Sequence, residues 1–158
     1  IPDCFRALHR GEAIHVRYPS AVRPWQHVLE CLSGYLMLGV RLHREGPRYG
    51  CGWNFAPMDM GDIWPVQKVV EYICALWGNG RYVTDDGAQP HEARMLCLDC
   101  TKARIDLGWL PRYRVARALR ESVAWYKAWS EDPAPERMRA VTLGQIQAYM
   151  DAVTVEED

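Results

Sequence analysis

Arg23-Pro24-Trp25-Gln26-His27, followed by Val28-Leu29-Glu30-Cys31-Leu32-Ser33-Gly34-Tyr35-Leu36-Met37-Leu38-Gly39-Val40-Arg41-Leu42-His43, is the stretch on which the fold reading turns. A polar and aromatic connection feeds a helix over 28–43. Val28, Leu29, Leu32, Tyr35, Leu36, Gly39 and Leu42 line that helix, so much of its surface is expected to be buried. Upstream, Ile1, Phe5 and Leu8 share one face of a helix that Gly11 closes, and Ala13 to Arg17 alternates as a short strand before Tyr18-Pro19-Ser20 breaks it.

Downstream, glycines 46, 50 and 52 bracket a loop, and Gly52-Trp53-Asn54-Phe55 reads as a strand. Pro65 suits a helix first turn; Val66, Val69, Val70, Ile73, Leu76 and Trp77 fall at helical spacing, ended by Gly78-Asn79-Gly80. Arg81 to Thr84 reads as a strand, Asp85-Asp86-Gly87 as a turn, and Arg94 to Leu98 as another strand. Asp99 is placed to cap a short helix to Leu107, with Gly108 past its end. Val115, Leu119, Ser122, Val123 and Tyr126 mark a longer helix to about Trp129. Residues 131–135 then form a hinge-like linker. Thr142-Leu143-Gly144-Gln145 has capping-box spacing for a last helix, ahead of an acidic tail. The class is α/β with few short strands and about five helices: a lobe over 1–130, then linker, terminal helix and tail over 131–158.

Composition narrows the function. The 158 residues carry 19 Lys+Arg against 20 Asp+Glu, which argues against nucleic acid as partner, since that binding neutralises many phosphates. No apolar run approaches the roughly 20 residues of a membrane span, and no secretory leader is recognisable, so a soluble cytoplasmic protein is expected. The six cysteines (4, 31, 51, 74, 97 and 100) are irregularly spaced and read mainly as small buried hydrophobes. Cys97 and Cys100 form a Cys-x-x-Cys without a second pair, so no metal site is expected.

Catalytic signatures are missing. Gly50-x-Gly52 and Gly78-x-Gly80 lack the third glycine that lets a backbone approach pyrophosphate, and none of the lysines (68, 102 and 127) has a tyrosine four residues before it. Polar groups concentrate instead in two places where strands end, 17–27 and 89–94. Arginines such as Arg17, Arg23 and Arg94 there can grip phosphate bidentately or can form surface ion pairs that contribute little, and spacing leaves both readings open. Taken singly, His27 and His91 read as capping or loop histidines.

Arg23-Pro24-Trp25-Gln26-His27-Val28-Leu29-Glu30, Leu32-Ser33-Gly34-Tyr35-Leu36 and Gly52-Trp53-Asn54-Phe55-Ala56-Pro57 resemble the CDP-glucose 4,6-dehydratases. So do Pro90-His91-Glu92-Ala93, Leu98 to Ala103, Leu107-Gly108-Trp109-x-Pro111 and Trp125 to Trp129. These enzymes belong to the extended short-chain dehydrogenase/reductase group, the NAD-dependent epimerases and dehydratases. The resemblance covers almost the whole chain but only the C-terminal, substrate-binding half of such an enzyme. The Rossmann half, with its NAD site and Tyr-x-x-x-Lys pair, is thereby implied as a missing partner. The resemblance further implies a lyase converting CDP-glucose to CDP-4-keto-6-deoxyglucose, in deoxysugar and lipopolysaccharide O-antigen biosynthesis, and no turnover by this chain alone. It places Arg23 on the nucleotide's phosphate and ribose, Arg94 near a second phosphate position, and Ile14 to Arg17, with His15 and Arg17, along the base pocket. His91 belongs to the same ligand segment, and Asn54 is read as structural. The segment 52–55 would join the Rossmann sheet, and a homo-oligomer is expected. Cys31, Ala56, Tyr18 and Met95 depart from the family pattern. A nucleotide-sugar epimerase half and a non-catalytic binding module are the rival readings.

Overall fold

The computed structural model describes residues 1–57, 62–84 and 93–152. Helix α1 (Pro2–His9) leads into β1 (Ile14–Val16), α2 (Val28–Glu45) and a 3-10 turn (Gly46–Tyr49). Then come α3 (Val66–Trp77), β2 (Tyr82–Thr84), a π-helical turn (Ala103–Leu107), α4 (Val115–Glu131) and α5 (Pro135–Asp151). The two strands are parallel, with Ile14 opposite Tyr82 and Val16 opposite Thr84. A parallel pair needs a long crossover, and the connection containing α2 and α3 supplies it.

Strand alternation sends Ile14 and Val16 into the core and leaves His15 exposed. They meet Phe5 and Leu8 of α1, Val69, Val70 and Ile73 of α3, and Val115, Leu119 and Val123 of α4, each set at helical spacing. A second apolar cluster gathers Tyr49, Phe55, Ala56, Cys100, Ala103, Leu107 and Trp109 behind α2. Gly34 is required there: a Cβ on it would stand 2.5 Å from the Phe55 ring. Asp99 accepts from the Thr101 amide at 2.8 Å just ahead of the π-helical turn, whose own N-cap is Lys102, and Gly108 ends the turn at φ +70°.

Four expectations need correction. Gly52–Phe55 is not a strand: its carbonyls accept from side chains, Gln26 Nε2 on Phe55 O at 2.7 Å and Lys102 Nζ on Gly52 O at 3.1 Å. Arg94–Leu98 makes only an isolated parallel bridge through Val22 and Met95. The last helix begins at Pro135, where the fixed φ of proline suits a first turn, and not at Thr142. Thr142 lies mid-helix, its hydroxyl donating to Met138 O at 2.8 Å. Only residues 132–134 separate α4 from α5, and Arg137 braces them by donating to Ala128 O at 3.1 Å.

The fourth correction concerns α2. Only Glu30 and Gly34 of this helix are buried, while Val28, Tyr35 and Leu36 are 62%, 58% and 73% exposed. The apolar stripe anticipated as core is surface. Expectations for the turn at 85–87, His91 and the acidic tail lie outside the described residues.

Candidate functional site

β1 ends at Val16, and the chain leaves its carboxyl end as Arg17-Tyr18-Pro19-Ser20. Crevices at the carboxyl ends of parallel strands are where α/β folds take ligands. A cleft of about 520 Å³ opens there, lined by His15, Arg17, Tyr18, Arg23 and Trp25 over an apolar floor that includes Ile14, Val66 and Val70. Backbone bonds set its rim: Ala21 N donates to Tyr18 O, Val66 N to Ala21 O and Gln67 N to Pro19 O, tying the turn to the start of α3. Trp25 is oriented by Nε1 donating to Trp64 O at 2.9 Å.

Arg23 reaches this cleft from Val22, whose amide and carbonyl pair with Arg94 O and Leu96 N at 2.8 and 3.1 Å. Its Nη1 donates to Val22 O at 2.7 Å and Ala93 O at 3.0 Å, so the guanidinium also braces the 93–96 segment. Two carboxylates share the lining, which would repel an anion if unmatched. Asp3 is ion-paired with Arg6, whose hydrogen bond holds its carboxyl below the usual range, and Glu12 lies 3.7 Å from Arg10.

The structure brings three of the five expected ligand residues, His15, Arg17 and Arg23, into one cleft. Arg94 is adjacent through its backbone, but its exposed side chain is not part of that lining, and His91 lies outside the described residues. His27 caps α2, accepting from Leu29 N at 3.3 Å, and burial pushes its pKa down. Asn54 donates to Asp99 O at 3.1 Å, a brace between two loops. Among the described residues, no three His, Cys, Asp or Glu side chains gather as a metal site, and no helix is long and apolar enough to cross a membrane.

Glu30 was not singled out from sequence, yet it organises the far side of the molecule. Fully buried, its carboxylate accepts from the amides of Arg112 (3.0 and 3.1 Å) and Tyr113 (2.8 Å) and from the Tyr149 hydroxyl (2.7 Å). Burial raises its pKa against the pull of these donors and, with Glu30 beside it, raises that of Tyr149 as well. Arg112 Nη1 in turn donates to the carbonyls of Tyr149, Met150 and Ala152, capping α5. The signal was available: a lone acid four residues before Gly34, on the inward face of an apolar helix.

A two-stranded parallel sheet flanked by helices, with a cleft at its strand end lined by His15, Arg17 and Arg23, makes this an α/β lobe. The comparisons agree. The chain is 41% identical over 155 residues to the CDP-glucose 4,6-dehydratase of Salmonella typhimurium, an alignment covering 98% of this chain and 42% of that protein. It thus spans less than half of that relative's length while matching the C-terminal half of the CDP-glucose 4,6-dehydratase family. A dTDP-glucose 4,6-dehydratase of Actinoplanes is 31% identical over 109 residues, covering 68% of this chain and 31% of that protein. The fold is shared with the crystal structure of Bacillus anthracis dTDP-glucose 4,6-dehydratase in complex with NAD (TM-score 0.62, 24% identity, covering 89% of this chain and 41% of that one). It is also shared with Pseudomonas aeruginosa RMD complexed with NADPH (TM-score 0.59, 17% identity, covering 78% and 39%). No family model matches the chain.

Proposed function

We propose that the cleft at the end of β1 holds the nucleoside diphosphate of a CDP-sugar, and that the chain is the substrate lobe of a CDP-glucose 4,6-dehydratase-like enzyme. The observation that carries this reading is the convergence of His15, Arg17 and Arg23 on one cleft, with the nearby carboxylates matched by Arg6 and Arg10. Arg17 and Arg23 supply fixed positive charge for the diphosphate, and Tyr18 and Trp25 offer rings beside it. Arg94, whose backbone carbonyl accepts from Val22 N beside the cleft, would add a further cation on the neighbouring segment.

The residues described do not fit a dinucleotide. The turn after β1 contains no glycine, so its backbone cannot approach a pyrophosphate as a glycine-rich turn does. NAD, which would supply a hydride acceptor at C4 of the sugar and a donor at C6, therefore belongs to the part of the intact enzyme that this chain does not span. This chain's share is to bind and orient the nucleotide. The exposed stripe of Leu32, Tyr35, Leu36 and Val40 on α2 supports packing against that other part, because a monomer rarely leaves such an apolar strip in water.

Calorimetric titration with CDP tests the reading. Arg23→Ala removes charge-assisted bonds of about 1.5–3 kcal/mol and should weaken CDP about ten- to hundredfold. Unchanged affinity would make Arg23 a brace for 93–96 alone. The chain incubated with CDP-glucose and NAD should yield no 4-keto sugar; formation of that product would refute the division of labour.

A further inference from the structure

Lys102 and Cys51 lie away from the proposed nucleotide cleft, on the loop and turn that enclose the second apolar cluster. The Lys102 ammonium is held by three consecutive residues: it donates to Cys51 Sγ at 2.9 Å and to Gly52 O at 3.1 Å, and it stands 4.3 Å from the centre of the Trp53 ring. Both ends are anchored. Cys51 N donates to Tyr49 O at 2.9 Å, and Lys102 follows Thr101, whose amide is capped by Asp99. Cys51 is exposed, whereas Cys4, Cys74 and Cys100 are buried and Cys31 is partly covered. Cys97 is equally exposed, but no cation stands against its sulfur among the described residues.

We propose that Cys51 and Lys102 form a reversible, oxidant-triggered cross-link, with a hydroperoxide as the oxidant. In the first step the Cys51 sulfur attacks the peroxide oxygen and the O–O bond breaks. Sulfur is oxidised by two electrons to the sulfenic acid, and the peroxide is reduced, leaving as water when hydrogen peroxide is used. The attacking sulfur is fixed in place by the Lys102 nitrogen 2.9 Å away. In the second step the Lys102 ammonium gives one proton to solvent and its nitrogen attacks that sulfur. The S–O bond breaks, the hydroxyl leaves as water with a proton from nitrogen, and an S–N bond remains, with no further change in electron count. A nitrogen already held at contact distance makes this step effectively intramolecular and lets it outrun over-oxidation. Added dithiol reverses it, returning thiol and amine. The link would staple the 50–53 loop to the turn at 101–107.

The test treats the purified chain with hydrogen peroxide, alkylates free thiols and maps peptides by mass spectrometry. The expected result is a linked peptide pair containing Cys51 and Lys102, lost on treatment with dithiothreitol and absent from Cys51→Ser. Lys102→Arg keeps the cation but has no primary amine, so Cys51 should still be trapped as sulfenic acid by dimedone while no linked peptide forms. Cys51 should be consumed about tenfold faster than Cys97, the order expected for a hydrogen bond from a charged donor. Over-oxidation of Cys51 with Lys102 free in the wild-type chain, or consumption of Cys97 at an equal or greater rate, would overturn the proposal.

Discussion

Replacing Glu30 by alanine strands two backbone donors at once, the amides of Arg112 and Tyr113, and leaves the Tyr149 hydroxyl only Ser33 Oγ at 3.1 Å. Each unsatisfied donor costs about 1–3 kcal/mol, so the two stranded amides together cost about 2–6 kcal/mol. Set against a total stability of about 5–15 kcal/mol, that loss should leave Glu30→Ala at best marginally folded. Glu30→Gln is the discriminating variant. Its amide oxygen can still accept from the two backbone amides, and Tyr149 can turn its proton toward Ser33 Oγ, already 3.1 Å away, so the cost should fall to about 1 kcal/mol. Urea unfolding followed by tryptophan fluorescence reads this directly, because Trp109 Nε1 donates to Glu30 O and Ser33 Oγ.

The same pair of proteins gives a pH signature. Burial raises the Glu30 pKa, so the folded chain holds its proton where the unfolded chain has released it. The contribution of Glu30 is therefore fully present below its ordinary value of 4.5 and is lost as pH rises through the raised, folded value. The stability advantage of the wild type over Glu30→Gln should shrink over that interval. An alanine variant within about 0.5 kcal/mol of wild type, or an advantage that grows with pH, would refute the reasoning.

Further variants follow from the same contacts. Gly34→Ala drives a methyl into the Phe55 ring and should lose about 1–3 kcal/mol in urea titrations, with Phe55→Leu recovering part of it. Arg112→Met removes three bonds to the end of α5 and should speed amide exchange in its last turn while leaving α1 and α3 unchanged. Leu36→Glu places charge on the exposed α2 stripe, and sedimentation at several concentrations should show less self-association than wild type. Equal association would place the contact elsewhere.

Elements whose sequence period and end signals agree are the ones that could be read directly. Helices α1 and α3 have an unbroken apolar face, a proline at or just before the first turn and a glycine beyond the end, and both form where expected. The two strands that failed, at 52–55 and 94–98, have aromatic or alternating composition, but a strand exists only with a partner along its length, and here side chains and a single bridge take the backbone groups. The start of α5 was displaced because Thr142 to Gln145 matches a cap, whereas Pro135 seven residues earlier already opens the helix. That Arg17 and Arg23 lie close together could be anticipated because both fall in the polar stretch that follows a strand, whereas His15, in the middle of β1, was expected only from the family resemblance. The Glu30 node could not, since its three donors come from residues 112, 113 and 149, more than eighty positions away.

Backbone amide shifts recorded as CDP is added to the isotopically labelled chain test the central claim most directly. A nucleotide-binding lobe predicts saturable changes clustered at residues 14–18 and 21–25, around the cleft that His15, Arg17 and Arg23 line, and their loss in Arg23→Ala. Changes confined to α2 or α5, or none at millimolar CDP, would contradict it.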